Sequence, residues 1–361
     1  MIATALDRLL DLAVVPGFTS VGYRVRQRNW EEMDLVGAVA DRTVMVTGAT
    51  SGLGLAAAHG FARAGARLHI VARDPHRAEE ARASIIERSG NENVHMHLAD
   101  LSRPGQVRAL ADTFERHHGL LDILVNNAGV LPTERQRTPE GFELAFATNV
   151  LSPFLLTNLL VPALSRARPS RIITVTSGGM YTRRLDVEDL QLERREFDGP
   201  TFYAHTKRAE VILTELWAER LASLGITAHA MHPGWADTPG LASSMPRFHR
   251  LIRPLLRDAQ QGADTILWLA AASEPADRPG ELWHDRAWRP KHRVPWTRES
   301  AGERDRLWNE LVRASGLSEQ SLAEAEDAAP PQSVPTNVDY PTTHPPRNVR
   351  EGEPWPAIAQ Q

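Results

Sequence analysis

The chain has 361 residues, 42% of them hydrophobic, and carries 41 Lys and Arg against 45 Asp and Glu, a net charge of −4. That balance leaves no electrostatic footprint for nucleic acid, and a chain without cysteine excludes disulfides, thiolate metal sites and cysteine nucleophiles. No apolar run reaches the roughly 18 residues a membrane-spanning helix needs, so the default expectation is a soluble, cytoplasmic protein.

Residues 1–40 form an N-terminal extension. Ile2, Leu6, Leu9, Leu10, Ala13 and Val14 follow helical spacing, and Pro16-Gly17 is expected to stop the run. Asp7 and Asp11 interrupt the apolar stretch, which argues against a secretory signal. With Arg24, Arg26 and Arg28 close behind, residues 1–28 read either as a basic amphipathic segment lying on a membrane surface or as a helix packed on the protein's own core or a second copy of the chain.

From 41 to 290 the pattern alternates. Apolar strand candidates at 43–47, 67–72, 93–98, 121–126, 171–176 and 226–231 are separated by helical segments near 52–64, 75–89, 104–118, 140–165 and 202–223. Repeated β-α units with apolar strands predict an α/β fold, a doubly wound parallel sheet of Rossmann type, with a ligand crevice at the strands' carboxyl ends. Residues 291–326 read as a helical extension, with a helix over 298–315, and 327–361 as a disordered tail rich in Pro, Thr, Asn and Gln.

The first strand runs into Thr47-Gly48-Ala49-Thr50-Ser51-Gly52-Leu53-Gly54 and then a helix. Glycines at a strand–helix junction let backbone N–H groups approach a pyrophosphate at the helix N-terminus, so a dinucleotide is expected there. Its ribose is read from the end of the second strand, Val71-Ala72-Arg73. An NAD site places a carboxylate there, whereas an NADP site offers a cation to the 2′-phosphate. Asp74-Pro75 fits a helix N-cap followed by proline at the first helical position, which leaves Arg73 for the phosphate and favours NADP(H) over NAD(H). Asp100, in Leu98-Ala99-Asp100-Leu101, either accepts from the adenine amino group or caps the helix near Pro104.

Tyr203 and Lys207 lie four residues apart within one helical segment, and so on one face. A lysine ammonium beside a phenol favours the phenolate and eases proton exchange. Pro153 lacks an N–H and cannot bond the carbonyl four residues back, that of Asn149, so this carbonyl is expected to hold a water that links Lys207 to solvent. The simpler reading is a bend in a long helix. None of the 14 histidines forms a metal constellation by spacing, and no metal is expected.

Taken together, Thr47-Gly48-xxx-Gly52-x-Gly54, Asn126-Asn127-Ala128-Gly129, Ser177, Tyr203-xxx-Lys207, Pro233-Gly234 and Thr238 occur in an order that resembles the classical short-chain dehydrogenases/reductases over roughly 42–290. The resemblance implies NAD(P)-dependent hydride transfer between nicotinamide and a carbonyl or alcohol. Asn149, Ser177, Tyr203 and Lys207 would be the catalytic set, with Tyr203 as general acid in reduction, Lys207 holding the nicotinamide ribose and Ser177 donating to the substrate oxygen. Asn127, Ala128 and Gly129 would line the cofactor near that ribose, Leu101, Pro233 and Gly234 would also contact the cofactor, and Thr238 would meet the carboxamide. Leu131, Met180, Tyr181 and Trp235 are the candidate substrate pocket, which favours a lipophilic carbonyl or alcohol. A catalytically silent dinucleotide sensor or scaffold is the alternative, although Ser177, Tyr203 and Lys207 are all present. An epimerase or dehydratase of the extended branch is disfavoured by the three-residue gap between Gly48 and Gly52.

Overall fold

The computed structural model describes Asp7, residues 9–11 and residues 13–318. Its centre is an eight-stranded sheet in the order β3-β2-β1-β4-β5-β6-β7-β8. The strands are β1 (Thr43–Thr47), β2 (Arg67–Ala72), β3 (Val94–Leu98), β4 (Ile123–Asn126), β5 (Ser170–Val175), β6 (Ile226–Met231), β7 (Leu282–His284) and β8 (Ala287–Arg289). All neighbours pair in parallel except β7 and β8. The order reverses between β1 and β4, and it is there that an open α/β sheet leaves its crevice.

Strand residues alternate between two apolar layers. On one face Met45, Val71, Leu124, Ile172 and Ala228 pack with α5 (Pro104–His117), α6 (Ser152–Leu159), α7 (Gly199–Arg220) and α9 (Ala301–Ser315). On the other, Val44, Ile70, Val125, Ile173 and Trp283 pack with α3 (Gly52–Arg63), α4 (Pro75–Ser89) and α8 (Ala259–Ala271). Two buried layers explain why the strands read as near-continuous apolar runs.

Six strands and the helix over 298–315 lie where the sequence pattern puts them, and β7 and β8 are additions. They are joined by Asp285 and Arg286, both with positive φ (53° and 55°). A two-residue turn of this hand normally uses Asn-Gly, so the sequence carries no hairpin signal there. Ion pairs hold the turn instead. Arg257 grips the Asp285 carboxylate with both Nη atoms, the longer bond being 2.8 Å, Arg26 adds a bond of 2.7 Å, and Arg286 is forked onto Asp264 at 2.7 and 2.9 Å.

The N-terminal arm packs on the protein's own core. The expected stop at Pro16-Gly17 is displaced, because both lie inside α1 (Val14–Phe18) and the break falls at the extended Thr19, before α2 (Ser20–Gln27). Arg26 is buried rather than part of an exposed basic patch. Asp7 pairs with Arg26 and Arg289, and Asp11 with Arg293. Phe18 meets His232, Trp235 and His284 edge-on. Leu9, Val14, Val15 and Val21 stay exposed. No helix among the described residues is long and apolar enough to cross a membrane. The 327–361 tail and the first six residues of the arm lie outside the described residues.

Asp285→Ala would strand the buried Arg257 guanidinium without its counter-ion and leave Arg26 with Asp7 alone, a loss of about 3–5 kcal/mol. A denaturant midpoint that drops accordingly is the expected result, and a shift below about 1 kcal/mol would mean that the cluster does not hold the arm and hairpin.

Candidate active site

A cavity of about 770 Å³ opens at the carboxyl ends of β1, β2, β4 and β5. β1 turns at Gly48 (φ +66°) and Gly52 (φ +53°), conformations that glycine adopts without strain. A Cβ on Gly54 would sit 2.3 Å from the Gly48 carbonyl oxygen and 2.4 Å from Asn127 Nδ2, so this loop can pack only as it is written. Ser51 is the N-cap of α3 but makes no side-chain capping bond, and it lines the cavity with Gly48, Gly52, Leu53 and Gly54. Thr47 does not reach the cavity. Its buried hydroxyl accepts from the Asn127 and Ala128 N–H groups and donates to the Val125 carbonyl, which ties β1 to the loop after β4.

At the end of β2, Asp74 accepts from the Arg77 N–H (2.9 Å) with Pro75 in the first turn, and so is spent as a cap for α4. Arg73 is exposed and borders the cavity. Arg77, one turn into α4, borders it too and was not anticipated from sequence, although its distance from the N-cap carried the signal. Asp100 and Leu101 line the same end. Asp100 does not cap a helix: its carboxylate accepts from the Ser102 N–H and hydroxyl, and α5 begins after Arg103.

Asn127, Ala128 and Gly129 after β4, Ser177 after β5, and Pro233, Gly234 and Thr238 after β6 all line the cavity. Thr238 also caps the short helix Pro239–Ser244, accepting from Leu241 N–H at 3.3 Å. Ser177 Oγ accepts from Gly179 N–H.

The helix expected over 140–165 is broken. Leu144–Phe146 passes into a π-helical turn, Ala147–Leu151, in which Ser152 N–H bonds Ala147 O five residues back. A π-turn is a local insertion in a helix and frequently marks a functional site. It turns Asn149 toward Val130, whose N–H and C=O both bond its side-chain amide, and Asn149 Nδ2 also donates to Thr206 Oγ1 at 3.0 Å. Asn149 is therefore buried behind the cavity wall, bracing the loop after Gly129 against α7.

α7 starts at a capped Asp198 and brings Tyr203 and Lys207 to the cavity. Lys207 is 2% exposed; its Nζ donates to Val175 O (3.0 Å) and to Glu210 Oε1 (2.7 Å) and lies 5.4 Å from the centre of the Tyr203 ring. Burial raises the Tyr203 pKa, and the nearby Lys207 and Ser177 pull it back only partly, so the phenol stays protonated. The expected easing by lysine is present in sign but outweighed by burial. Lys207 is itself held cationic, because Glu210 overcomes the cost of its burial. Burial pushes the Glu210 carboxyl up to about 7. Glu210 was missed in the sequence, where its place three residues beyond Lys207 on the same helical face was the available signal. Its Oε2 and the hydroxyls of Thr148 and Thr174, none with a protein partner, border a second cavity of about 10 Å³, roughly the volume of one water.

Of the four candidate substrate residues, Leu131 and Trp235 line the main cavity and Met180 and Tyr181 do not. The latter are buried in a cluster with Phe18, Val211 and Leu282, because the 3-10 turn Gly178–Thr182 folds them away from Ser177. Met245 and Phe248 from the segment after β6 take their place.

The short chain dehydrogenase family model matches residues 42–188. Dehydrogenase/reductase SDR family member 12 from Bos taurus is 44% identical over 79% of this chain and 89% of its own length. The chain belongs to the short-chain dehydrogenase/reductase family. Retinol dehydrogenase 12 from Homo sapiens is 35% identical, over 76% of this chain and 87% of its own. A short chain dehydrogenase from Burkholderia cenocepacia, solved with NADP, superposes with a TM-score of 0.56 at 25% identity, covering 68% of this chain and 96% of that one. This short-chain dehydrogenase/reductase is accordingly an NAD(P)-dependent oxidoreductase acting on CH–OH or carbonyl groups.

The Glu210 carboxylate raises the pKa of both Tyr203 and Lys207, so replacing it by a neutral amide lowers both. In Glu210→Gln the pH profile of kcat/KM is expected to move to lower pH by about one unit, while Glu210→Asp leaves it near the wild-type position. A uniform loss of rate with an unmoved profile would reduce Glu210 to a packing residue.

Proposed function

We propose that this short-chain dehydrogenase/reductase is an NADP(H)-dependent reductase of a lipophilic carbonyl compound, with Tyr203 as its proton donor. The observation that carries the reading is the convergence of Ser177, Tyr203 and Lys207 on one cavity whose far end is bordered by Arg73 and Arg77.

The glycine loop suits a dinucleotide, since it lines the cavity at the N-terminus of α3 and packs so closely on the loop after β4 that side chains at Gly48 and Gly54 would collide with Ala128 and Asn127. A bound nicotinamide supplies the hydride. The chain's residues do the rest. Ser177, hydrogen-bonded beside the Tyr203 phenol with its oxygen accepting from Gly179 N–H, turns its hydroxyl proton to the carbonyl oxygen when substrate enters. Tyr203, held protonated by burial, gives its proton to that oxygen as negative charge develops, which completes the alcohol. Lys207 spends two N–H groups on Val175 and Glu210 and keeps a third for a ribose hydroxyl. Asn149 acts by position, bracing Val130 and Thr206 around the lysine, and its carbonyl, to which Pro153 has no N–H to donate, is the seat assigned to a water that resupplies the proton.

NADP(H) is favoured because the carboxylate nearest the adenosine end, Asp74, is occupied in capping while two guanidinium groups flank it. An NADP-bound relative supports the same choice. The apolar lining by Leu131, Trp235, Met245 and Phe248 favours a lipophilic substrate, as does the alcohol in the name of the 35%-identical retinol dehydrogenase 12.

Tyr203→Phe is expected to cut NADPH-linked reduction of lipophilic aldehydes and ketones by about 100-fold or more while leaving the NADPH dissociation constant within about threefold. Retained turnover would refute the proton-donor role. Arg73→Ala should weaken NADPH binding about tenfold or more and leave NADH nearly unchanged. Equal losses for the two cofactors in a fluorescence titration would reject the phosphate role.

A further inference from the structure

Away from the cofactor cavity, four imidazoles crowd one face of the β2–β3 edge of the sheet. Parallel register sets His69 beside His95 and Val71 beside His97, so residues 69, 95 and 97 share a face. His118, at the end of α5, closes over them. The His69 ring stacks on His95 at 4.8 Å and on His97 at 5.2 Å, and meets His118 edge-on at 4.4 Å. His69 Nδ1 and His97 Nε2 are 2.9 Å apart, and one ring nitrogen from each of His69, His97 and His118 falls within 4.8 Å of the others. Strand pairing and a helix end thus assemble a three-histidine group that spacing in the chain does not suggest.

A hydrogen bond between His69 and His97 accounts for two of these nitrogens and leaves the third ring unexplained. Burial and the neighbouring rings hold His69 and His97 neutral, the form in which imidazole is a ligand. We propose that His69, His97 and His118 form a binding site for a divalent transition cation, best met by Zn2+, with water or His95 completing a tetrahedron. An all-imidazole set suits zinc and its neighbours in the series and offers nothing to Mg2+ or Ca2+, which take oxygen ligands. Zn–N bonds of about 2.0–2.1 Å put tetrahedral nitrogens about 3.4 Å apart. The 2.9 Å pair must open slightly and the wider contacts close, within reach of ring rotation. The proton between His69 and His97 moves to the other nitrogen of its own ring, so no net proton is lost. His95 is exposed and His97 and His118 are half-buried, which gives an ion access from solvent.

Bound there, the ion would clamp β2, β3 and the end of α5 together. β2 and β3 run directly into Arg73 and Asp100, so the site would stiffen the adenosine end of the cavity without touching the reacting groups.

The test uses the full, untagged chain stripped of metal with a chelator. Isothermal titration with ZnCl2 is expected to show one site per chain, with MgCl2 giving none, and Zn2+ should raise the melting temperature. Co2+ should give the visible absorption of a tetrahedral site. His97→Gln/His118→Gln should abolish the stoichiometric binding, the absorption and the thermal shift, while metal-free NADPH-linked activity stays at the wild-type level. If that double variant melts early without metal, His118→Ala read by titration alone decides. Absence of zinc binding in the wild type, or binding of equal stoichiometry and affinity in the variants, would overturn the proposal.

Discussion

The candidate site depends on keeping a lysine charged where little water reaches it. Removing an ammonium from water costs several kcal/mol after relaxation, and a lone buried lysine would shed its proton. Lys207 keeps its charge because Glu210 stands one turn further along α7 and the Val175 carbonyl closes the strand side. The carboxylate is itself unhappy there: its pKa rises to about 7 despite the adjacent cation. Lysine and glutamate therefore share one poorly solvated charge pair, and the proton on Tyr203 responds to both. The water-sized cavity beside Glu210, with its unpartnered threonine hydroxyls, sits where a further hydrogen bond would relieve the carboxylate.

A second buried charge cluster governs the other wall of the cavity. Asp285 joins Arg26 from the N-terminal arm to Arg257 from the segment after β6, at the tip of a hairpin whose two turn residues both have positive φ. Neither Asp nor Arg pays for that conformation locally, so the ion pairs must hold it. The Phe18 carbonyl accepts from the Trp235 N–H at 2.7 Å, and Trp235 lines the cavity. The arm thus reaches the Trp235 wall of the cavity through that backbone bond and the edge-on Phe18 ring. Its acidic residues, which in the sequence read only as interruptions of an apolar run, are the partners of Arg289 and Arg293.

What was legible in the sequence is what local physics writes there. Apolar strands, the glycines of the first turn, the cap at Asp74 and the Tyr203–Lys207 spacing each depend on residues a few positions apart. The errors share the opposite property. Met180 and Tyr181 follow Ser177 closely, yet a tight 3-10 turn and the distant Phe18 send them into the core. β7 and β8 hide because their turn is stabilised by residues 28 and 259 positions away rather than by its own. The π-turn at Asn149 is not visible in a pattern of period 3.6, although Pro153 marks its end. The histidine cluster needs strand register and the end of α5 before its members meet.

The rim at the end of β2 shows how one local commitment sets charge at a distance. A carboxylate at the end of β2 would ordinarily accept from a ribose hydroxyl and repel a phosphate. Asp74 is such a carboxylate by position, but it satisfies an orphan N–H of α4 and, with Pro75, sets the direction in which that helix leaves the sheet. That direction brings Arg77 to the same rim as Arg73. The cap therefore engages the anion and brings a second cation to the rim with one hydrogen bond. A swap of Asp74 for another capping residue would keep the helix and the cations alike, so the charge at this rim rests on helix geometry as much as on any single position.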